Sequence, residues 1–251
     1  MTLDRFFEEH PRAALAFSGG VDSSYLLWAG VQAGAEIWPY FVKTPFQPRF
    51  ELEDARRLCE QLDVDLIVLD IDILTDETVA ANPPDRCYHC KRRLFSYLKK
   101  YAASEDFSLL LDGTNASDDA GDRPGMRALR ELEVRSPLRE CGLTKERIRE
   151  LSRQAGLFTW DKPSYACLAT RVPAGQPITR DALEKAERGE TALSGLGFRD
   201  FRVRLTQNGC KLQVTEKQIP LALDRRTDIL TALEPDFSEI TLDLRPRAVS
   251  D

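Results

Sequence analysis

The stretch Ala16-Phe17-Ser18-Gly19-Gly20-Val21-Asp22-Ser23-Ser24 follows an apolar run, Ala13 to Phe17, and opens a helical one, Asp22 to Ala33. A strand that turns through Ser-Gly-Gly into a helix leaves several backbone N–H groups pointing outward, at the end of the helix where the dipole is positive. That is an anion cradle, and it needs a strand C-terminus set against a helix N-terminus. The first half of the chain supplies the matching pattern. Glu36 to Val42, Val64 to Leu69 and Ser108 to Leu111 read as strands, while Phe50 to Leu62 and Arg92 to Ala103 read as helices, with Gly34 ending the first helix. Alternation of this kind predicts an α/β fold, a parallel sheet covered on both faces. Ligands of such sheets lie beyond the strand C-termini. Two segments fall at that edge, the Ser-Gly-Gly turn and Leu111-Asp112-Gly113-Thr114-Asn115-Ala116-Ser117-Asp118-Asp119.

The second half opens with Val134 to Leu138 and a helix from Thr144 to Ala155 stopped by Gly156, then a loop, Phe158 to Ile178, broken by Pro163, Pro173 and Pro177. Thr179 to Leu196 reads as a helix, Phe201 to Leu205 and Lys211 to Thr215 as strands, Pro220 to Leu233 as a helix and Glu239 to Leu244 as a last strand. This different order predicts two domains, 1–170 and a smaller α/β domain over 171–251. At 251 residues the chain is long enough for both. A net charge of −6 argues against a large basic face for nucleic acid. No apolar run approaches a membrane span and the first residues lack a signal-peptide core, so a cytoplasmic protein is expected, without a membrane partner. Six cysteines in a reducing compartment point to metal ligands or nucleophiles where they cluster, as Cys87 and Cys90 do.

The whole of Ser18 to Ser24, SGGVDSS, in strand–helix context resembles the pyrophosphate loop of PP-loop ATP pyrophosphatases, adenine-nucleotide α-hydrolase-like proteins that release pyrophosphate and leave an AMP adduct. The loop carries no lysine of its own, so transfer of the γ-phosphoryl group is the poorer inference. Ser18, Gly19, Gly20, Ser23 and Ser24 are then expected to donate to the phosphates and Asp22 to hold Mg²⁺ directly or through water, with Gly113 and Asn115 beside the nucleotide. Further motifs are more specific. Arg86-Cys87-Tyr88-His89-Cys90-Lys91, Ala166-Cys167-Leu168-Ala169-Thr170-Arg171, GTNASDD at 113–119, DRPG at 122–125, VRSPL at 134–138, LTKERIREL at 143–151 and GLGFRDFRVR at 195–204 together resemble the LarE family. Its members are ATP-dependent sulfur transferases that mature the nickel-pincer cofactor of lactate racemase.

The resemblance implies a substrate, pyridinium biscarboxylic acid mononucleotide, whose carboxylates are adenylated and then converted to thiocarboxylates. It also implies a homo-oligomer and two routes for sulfur. Some relatives sacrifice the cysteine matching Cys167; others hold a 4Fe-4S cluster on three cysteines, matching Cys87, Cys90 and Cys167, whose open iron would carry sulfide from an external donor. The cluster is the favoured expectation. Zinc would want a fourth ligand, and His89 inside the C-x-x-C is awkwardly placed for it. Cys59 reads as core packing, and Cys141 and Cys210 have no spaced partners.

Lys91 and Arg171 are expected to meet the anionic adenylate or substrate. Asp118 and Asp119 are read as orienting substrate or Mg²⁺, against the commoner helix-cap role. Glu190 is carried over from the family's spacing, with Glu187 as its rival. In Phe201-Arg202-Val203-Arg204 the period of two puts Arg202 and Arg204 on one strand face, where two guanidiniums suit a phosphate, and the family's phosphate-binding arginines match them. Competing functions are a tRNA-thiolating enzyme of the same loop class, an ammonia-using synthetase, and a non-enzymatic iron–sulfur carrier.

Overall fold

A computed structural model describes residues 1–118 and 124–248. The chain forms two compact units, Met1–Ile73 with Asp85–Lys162, and Leu74–Pro84 with Pro163–Asp251.

The first unit is built on a parallel sheet in the order β3-β2-β1-β4, with β1 at Arg12–Ala16, β2 at Glu36–Lys43, β3 at Ile67–Asp70 and β4 at Leu110–Leu111. Ala14 pairs with Trp38 on one side and with Leu110 on the other. Because β1 is covered on both faces, its alanines and Leu15 are almost all buried. Helices α1 (Leu3–Glu9), α2 (Val21–Gln32), α3 (Arg49–Leu62), α5 (Arg86–Ser104), α6 (Pro124–Glu131), α7 (Pro137–Glu140) and α8 (Lys145–Gln154) complete it, and α4 (Glu77–Ala80) belongs to the second unit. The larger core, around Leu15, Leu26, Leu27, Phe41, Leu58 and Ile148, packs α2, α3 and α8 on one sheet face; a second cluster joins Ala14, Tyr40 and Leu69 to Leu98 and Ala102 of α5.

Several boundaries differ from the sequence expectation. Helix α5 starts at Arg86 instead of near Arg92, so the C-x-x-C lies on its first turn. β3 begins at Ile67 because Asp63, left-handed at φ 54°, ends α3 and Val64 N–H bonds back to the Cys59 carbonyl. The loop from Phe158 to Ile178 contains two 3₁₀ turns, Phe158–Asp161 and Leu168–Arg171.

The second unit carries α9 (Arg180–Gly195), β5 (Arg202–Leu205), β6 (Gly209–Gln213), α10 (Ile219–Asp224), α11 (Arg226–Leu233) and β7 (Glu239–Leu242). Its sheet runs β5-β6-β7, antiparallel then parallel. The expected helix over Pro220 to Leu233 is two helices broken at Arg225. Leu193, Phe198, Val203, Leu212 and Leu233 form its core.

Leu15 is fully buried at the centre of the first sheet. Leu15→Ala is expected to cost about 2 to 5 kcal/mol, as buried leucine truncations do, measured as a lower urea midpoint with the overall secondary structure retained.

Candidate active site

The turn between β1 and α2 is shaped by glycine. Gly19 has φ 68°, and a Cβ there would lie 3.0 Å from the Glu51 carbonyl oxygen and 3.1 Å from the Ala55 nitrogen, both on α3. Only glycine accepts that conformation and that contact together. Gly20 is the N-cap of α2 and makes no side-chain capping bond, which leaves the first N–H groups of the helix for an anion. Ser18 N–H donates to Ser23 Oγ at 3.3 Å and the two hydroxyls stand 3.1 Å apart. The loop after β4 presses onto the same helix: a Cβ at Gly113 would come within 3.0 Å of the Ser23 nitrogen. From this loop Asn115 Nδ2 reaches Asp22 Oδ1 at 3.4 Å, while the Asn115 N–H donates to Asp118 Oδ2 at 2.8 Å. Asp118 therefore closes a turn of the loop after β4.

Asp22 is the charged centre. Lys145, the first residue of α8, donates to Asp22 Oδ2 at 2.5 Å. Burial raises the Asp22 carboxyl above the ordinary carboxylate range; Lys145 opposes that shift and the nearby Asp118 charge adds to it. A second lysine, Lys162, donates to the Gly19 carbonyl at 3.1 Å and pairs with Asp54 at 2.5 Å. A loop without a lysine of its own is thus served by two, from 123 and 143 residues away in sequence. Neither was legible in the motifs. Lys145 lies within LTKERIREL and Lys162 in the proline-broken loop, and no local pattern marks either as facing the cradle.

These groups open on a cleft of about 530 Å³. Ser18, Asp22 and Ser23 line it together with Gly113 and Asp118, and so do Cys87 and Lys91, one turn apart on α5. Asp112, also at the cleft and given no role of its own from the sequence, is buried and accepts from the hydroxyls of Thr114 at 2.5 Å and Ser136 at 2.6 Å. Ser24 is fully buried, with its hydroxyl shut off from solvent, so it supports the helix from behind. Asp119, Asp122 and Arg123 lie outside the described residues.

The cysteines divide. Cys87 is exposed and Cys90 half-buried, three residues apart on one turn of α5, and His89 Nε2 stands 3.2 Å from Asp85. Cys167, half-buried, opens the 3₁₀ turn Leu168–Arg171 of the second unit. Among the described residues no three His, Cys, Asp or Glu side chains are gathered to hold a metal ion. Burial pushes the thiols of Cys59 and Cys210 up to about 12 and about 11 and raises that of half-buried Cys141, and the two buried thiols stay protonated.

In the second unit Arg171 and Glu190 form a buried two-bond pair, Nε to Oε1 at 2.6 Å and Nη2 to Oε2 at 3.0 Å. Glu190 also accepts from the Val203 N–H at 2.9 Å and from the Tyr165 hydroxyl at 2.5 Å, which makes it the hub of this network. Burial works to lower the Arg171 guanidinium, but Glu190 outweighs it and the pKa is raised. Arg202 and Arg204 share a face of β5, as the period of two requires, yet that face is not a solvated one. Arg202 is 5% exposed and donates to the Phe201 and Ser164 carbonyls at 2.6 and 2.8 Å; Arg204 donates to Gln213 Oε1 at 2.9 Å and to the Thr170 carbonyl. Burial, with the charges of Arg171 and Arg247, brings Arg202 down to about 10 and lowers Arg204 as well. Arg247, 3.0 Å from Asp200, is a fourth guanidinium that the sequence reading missed; it follows the last strand and no motif marks it.

Comparison with known proteins identifies this combination. No family model matches the chain. It is 30% identical over 248 residues to pyridinium-3,5-bisthiocarboxylic acid mononucleotide synthase of Lactiplantibacillus plantarum, covering 97% of this chain and 89% of that protein. It is 34% identical over 218 residues to an uncharacterised protein of Synechocystis, covering 86% and 81%. A tRNA-specific 2-thiouridylase of Clostridium botulinum shares 27% over 181 residues, but only 59% of this chain and 51% of that enzyme. The near-complete match to the first of these places the chain in the LarE family of PP-loop sulfur-transferring enzymes, and the weaker thiouridylase match supports the PP-loop class.

Proposed function

We propose that this enzyme uses ATP to replace carboxylate oxygen by sulfur on pyridinium biscarboxylic acid mononucleotide, giving the bisthiocarboxylate precursor of the nickel-pincer cofactor. The observation that carries this reading is the glycine-shaped, uncapped start of α2 with Asp22 at its mouth, opening on the same cleft as Cys87 and Lys91. A carboxylate oxygen is a poor leaving group. It attacks the α-phosphorus of ATP, the α–β phosphoanhydride bond breaks, and pyrophosphate departs into the cradle. Sulfur then attacks the acyl carbon and AMP leaves with the oxygen. A second round at the other carboxylate completes the product. The N–H groups of the turn stabilise the charge that builds on the departing pyrophosphate, and Lys91 faces the same cleft as a cation for the adenylate. Asp22 and Asp118 are hard oxygen donors of the kind Mg²⁺ takes, and the ion when bound supplies charge neutralisation to the phosphates.

Arg202 and Arg204, with Arg171 behind them, are read as the site of the substrate's monophosphate: burial and mutual repulsion disfavour these cations until an anion arrives. For sulfur, the three-thiol reading assigns a 4Fe-4S cluster to Cys87, Cys90 and Cys167, because a sacrificial cysteine would need Cys167 alone and leave the C-x-x-C unexplained. Among the described residues no three His, Cys, Asp or Glu side chains are gathered for a metal, and the adenylation and sulfur-attack steps above do not run through a cluster. The sulfur donor is sulfide or a protein that delivers it, and a cytoplasmic homo-oligomer is the expected working form. A tRNA-thiolating role is the weaker alternative, since the thiouridylase of Clostridium botulinum is 27% identical over 59% of the chain against 30% over 97% for the bisthiocarboxylic acid mononucleotide synthase and the net charge is −6.

Asp22→Ala is expected to abolish substrate-dependent formation of AMP and pyrophosphate while the protein stays folded; wild-type rates would reject the assignment. The pH dependence has a definite sign. Metal-nucleotide binding needs Asp22 charged, so it is present above the carboxyl's folded pKa and lost as pH falls through it. Lys145 is the partner that holds this pKa down, so Lys145→Met should move the acid limb of Mg²⁺-dependent ATP binding to higher pH, read by calorimetry across a pH series. Arg204→Ala should weaken the mononucleotide by about 1.5 to 3 kcal/mol, the range for hydrogen bonds to charged groups, and barely change ATP affinity; equal losses for both ligands would reject the phosphate site. Anaerobically purified protein should carry about four irons per chain, lost in Cys87→Ala, Cys90→Ala and Cys167→Ala alike. Colourless protein whose polypeptide mass falls by one sulfur and two hydrogens on turnover would instead make Cys167 the sacrificed residue.

A further inference from the structure

We infer that Lys162 is a positioning residue for the pyrophosphate cradle: by holding the Gly19 carbonyl it fixes which way the Gly19–Gly20 peptide faces, and so aims the Gly20 N–H at the anion. The inference rests on the reading of the turn as a pyrophosphate site and extends it to a residue 143 positions away.

A trans peptide points its C=O and N–H in opposite directions. Between two glycines that peptide is sterically the freest of all to flip, because neither neighbour has a Cβ to oppose it. A flipped Gly19–Gly20 unit would present a carbonyl oxygen where the cradle needs a donor. In the structure Lys162 Nζ takes the Gly19 carbonyl at 3.1 Å, and the Gly20 N–H faces Ser18 Oγ at 3.4 Å, a long contact to a residue that lines the cleft. Lys162 is itself held at both ends. Its ammonium pairs with Asp54 of α3 at 2.5 Å, with 15% of its side chain exposed, and it lies 5.3 Å from the Phe50 ring. Its own carbonyl and that of Trp160 accept from Arg149 of α8 at 3.0 and 2.8 Å. Helix α3 is also the surface against which Gly19 is pressed. One lysine therefore ties the turn to the helix that shapes it, from a backbone segment clamped to α8.

A lysine that acted only as a charge on the phosphates would leave the empty turn unaffected, and this separates the two roles. In the full-length protein, Lys162→Met and Lys162→Arg are compared with wild type by calorimetric titration of inorganic pyrophosphate and of AMP. Hydrogen exchange of the amides in residues 17–24 is followed without ligand. Lys162→Met is expected to bind pyrophosphate about tenfold more weakly, the scale of one lost hydrogen bond, with AMP unchanged and faster exchange in the empty turn. Lys162→Arg should restore both. Asp54→Ala, which keeps the lysine but removes its tether, should move both readouts the same way and serves if Lys162→Met does not fold. Weaker pyrophosphate binding with unaltered exchange would overturn the inference in favour of a direct charge contact, and unaltered pyrophosphate binding would overturn it outright. Wild-type protein that binds no pyrophosphate would remove the cradle reading itself, an outcome distinct from either.

Discussion

Two missing side chains set the geometry of the first unit. Gly19 lets the turn after β1 touch the backbone of α3, and Gly113 lets the loop after β4 touch the backbone of α2 at Ser23. A Cβ added at either position would lie about 3.0 Å from backbone atoms of the neighbouring helix, closer than ordinary van der Waals contact. With both contacts made, the start of α2 is held from two directions, its N–H groups stay uncapped, and Asp22 and Asn115 come within 3.4 Å. Larger residues at either position would push the loops apart, and the donors would no longer converge. The core of Leu15, Leu26 and Leu58 supplies the stiffness that keeps these contacts in register.

The electrostatics of the site run against stability. Asp22 is partly buried at the foot of the cleft and its carboxyl is pushed up by that burial even with Lys145 attached. Above the carboxyl's folded pKa the ionised group disfavours the folded state relative to a solvent-exposed one, because the unfolded chain gives up its proton at a lower pH. Such a group persists where chemistry needs a charge that water cannot screen. Lys145 of α8 supplies the compensating charge to Asp22, while Lys162, just before Pro163, pairs with Asp54 of α3, each bridging elements distant in sequence.

What could be read in advance follows from what is local. The strand–turn–helix at Ala13 to Ala33 was legible because apolar period, two glycines and a helix start all coincide there, and the pairing of Arg202 with Arg204 on one strand face needed only the period of two. The early start of α5 was hidden because Cys87, Tyr88, His89 and Cys90 have middling helix propensity and no apolar stripe; packing of Tyr88 and Leu98 into the first unit decides it. The membership of residues 74–84 in the second unit was hidden too. It rests on long-range backbone bonds, Ile178 N–H to the Ala80 carbonyl and Gly175 N–H to the Asn82 carbonyl. Lys145, Lys162 and Arg247 escaped for the same reason, since a single cation carries no pattern until the fold gives it a partner.

The second unit answers the problem of buried charge differently. Arg171 is fully buried and survives there because Glu190 meets it through two parallel bonds while the remaining capacity of the carboxylate is filled by Val203 N–H and Tyr165. Replacing such a pair by apolar residues is often neutral, whereas removing one partner leaves an uncompensated charge and costs about 3 to 5 kcal/mol. The pair therefore contributes less to stability than to placement: it fixes Glu190 against the first residues of β5 and so fixes the strand that carries Arg202 and Arg204. Arg202 is met differently: Asp200 stands 3.7 Å from its Nη1 and only 3.0 Å from Arg247, so one carboxylate is shared between two guanidiniums. The hydrogen bonds of Arg202 and Arg204 go to the Phe201, Ser164 and Thr170 carbonyls and to Gln213 Oε1, oxygens that satisfy donors without neutralising charge, and the proposed monophosphate site on this face of β5 rests on that difference rather than on the count of arginines.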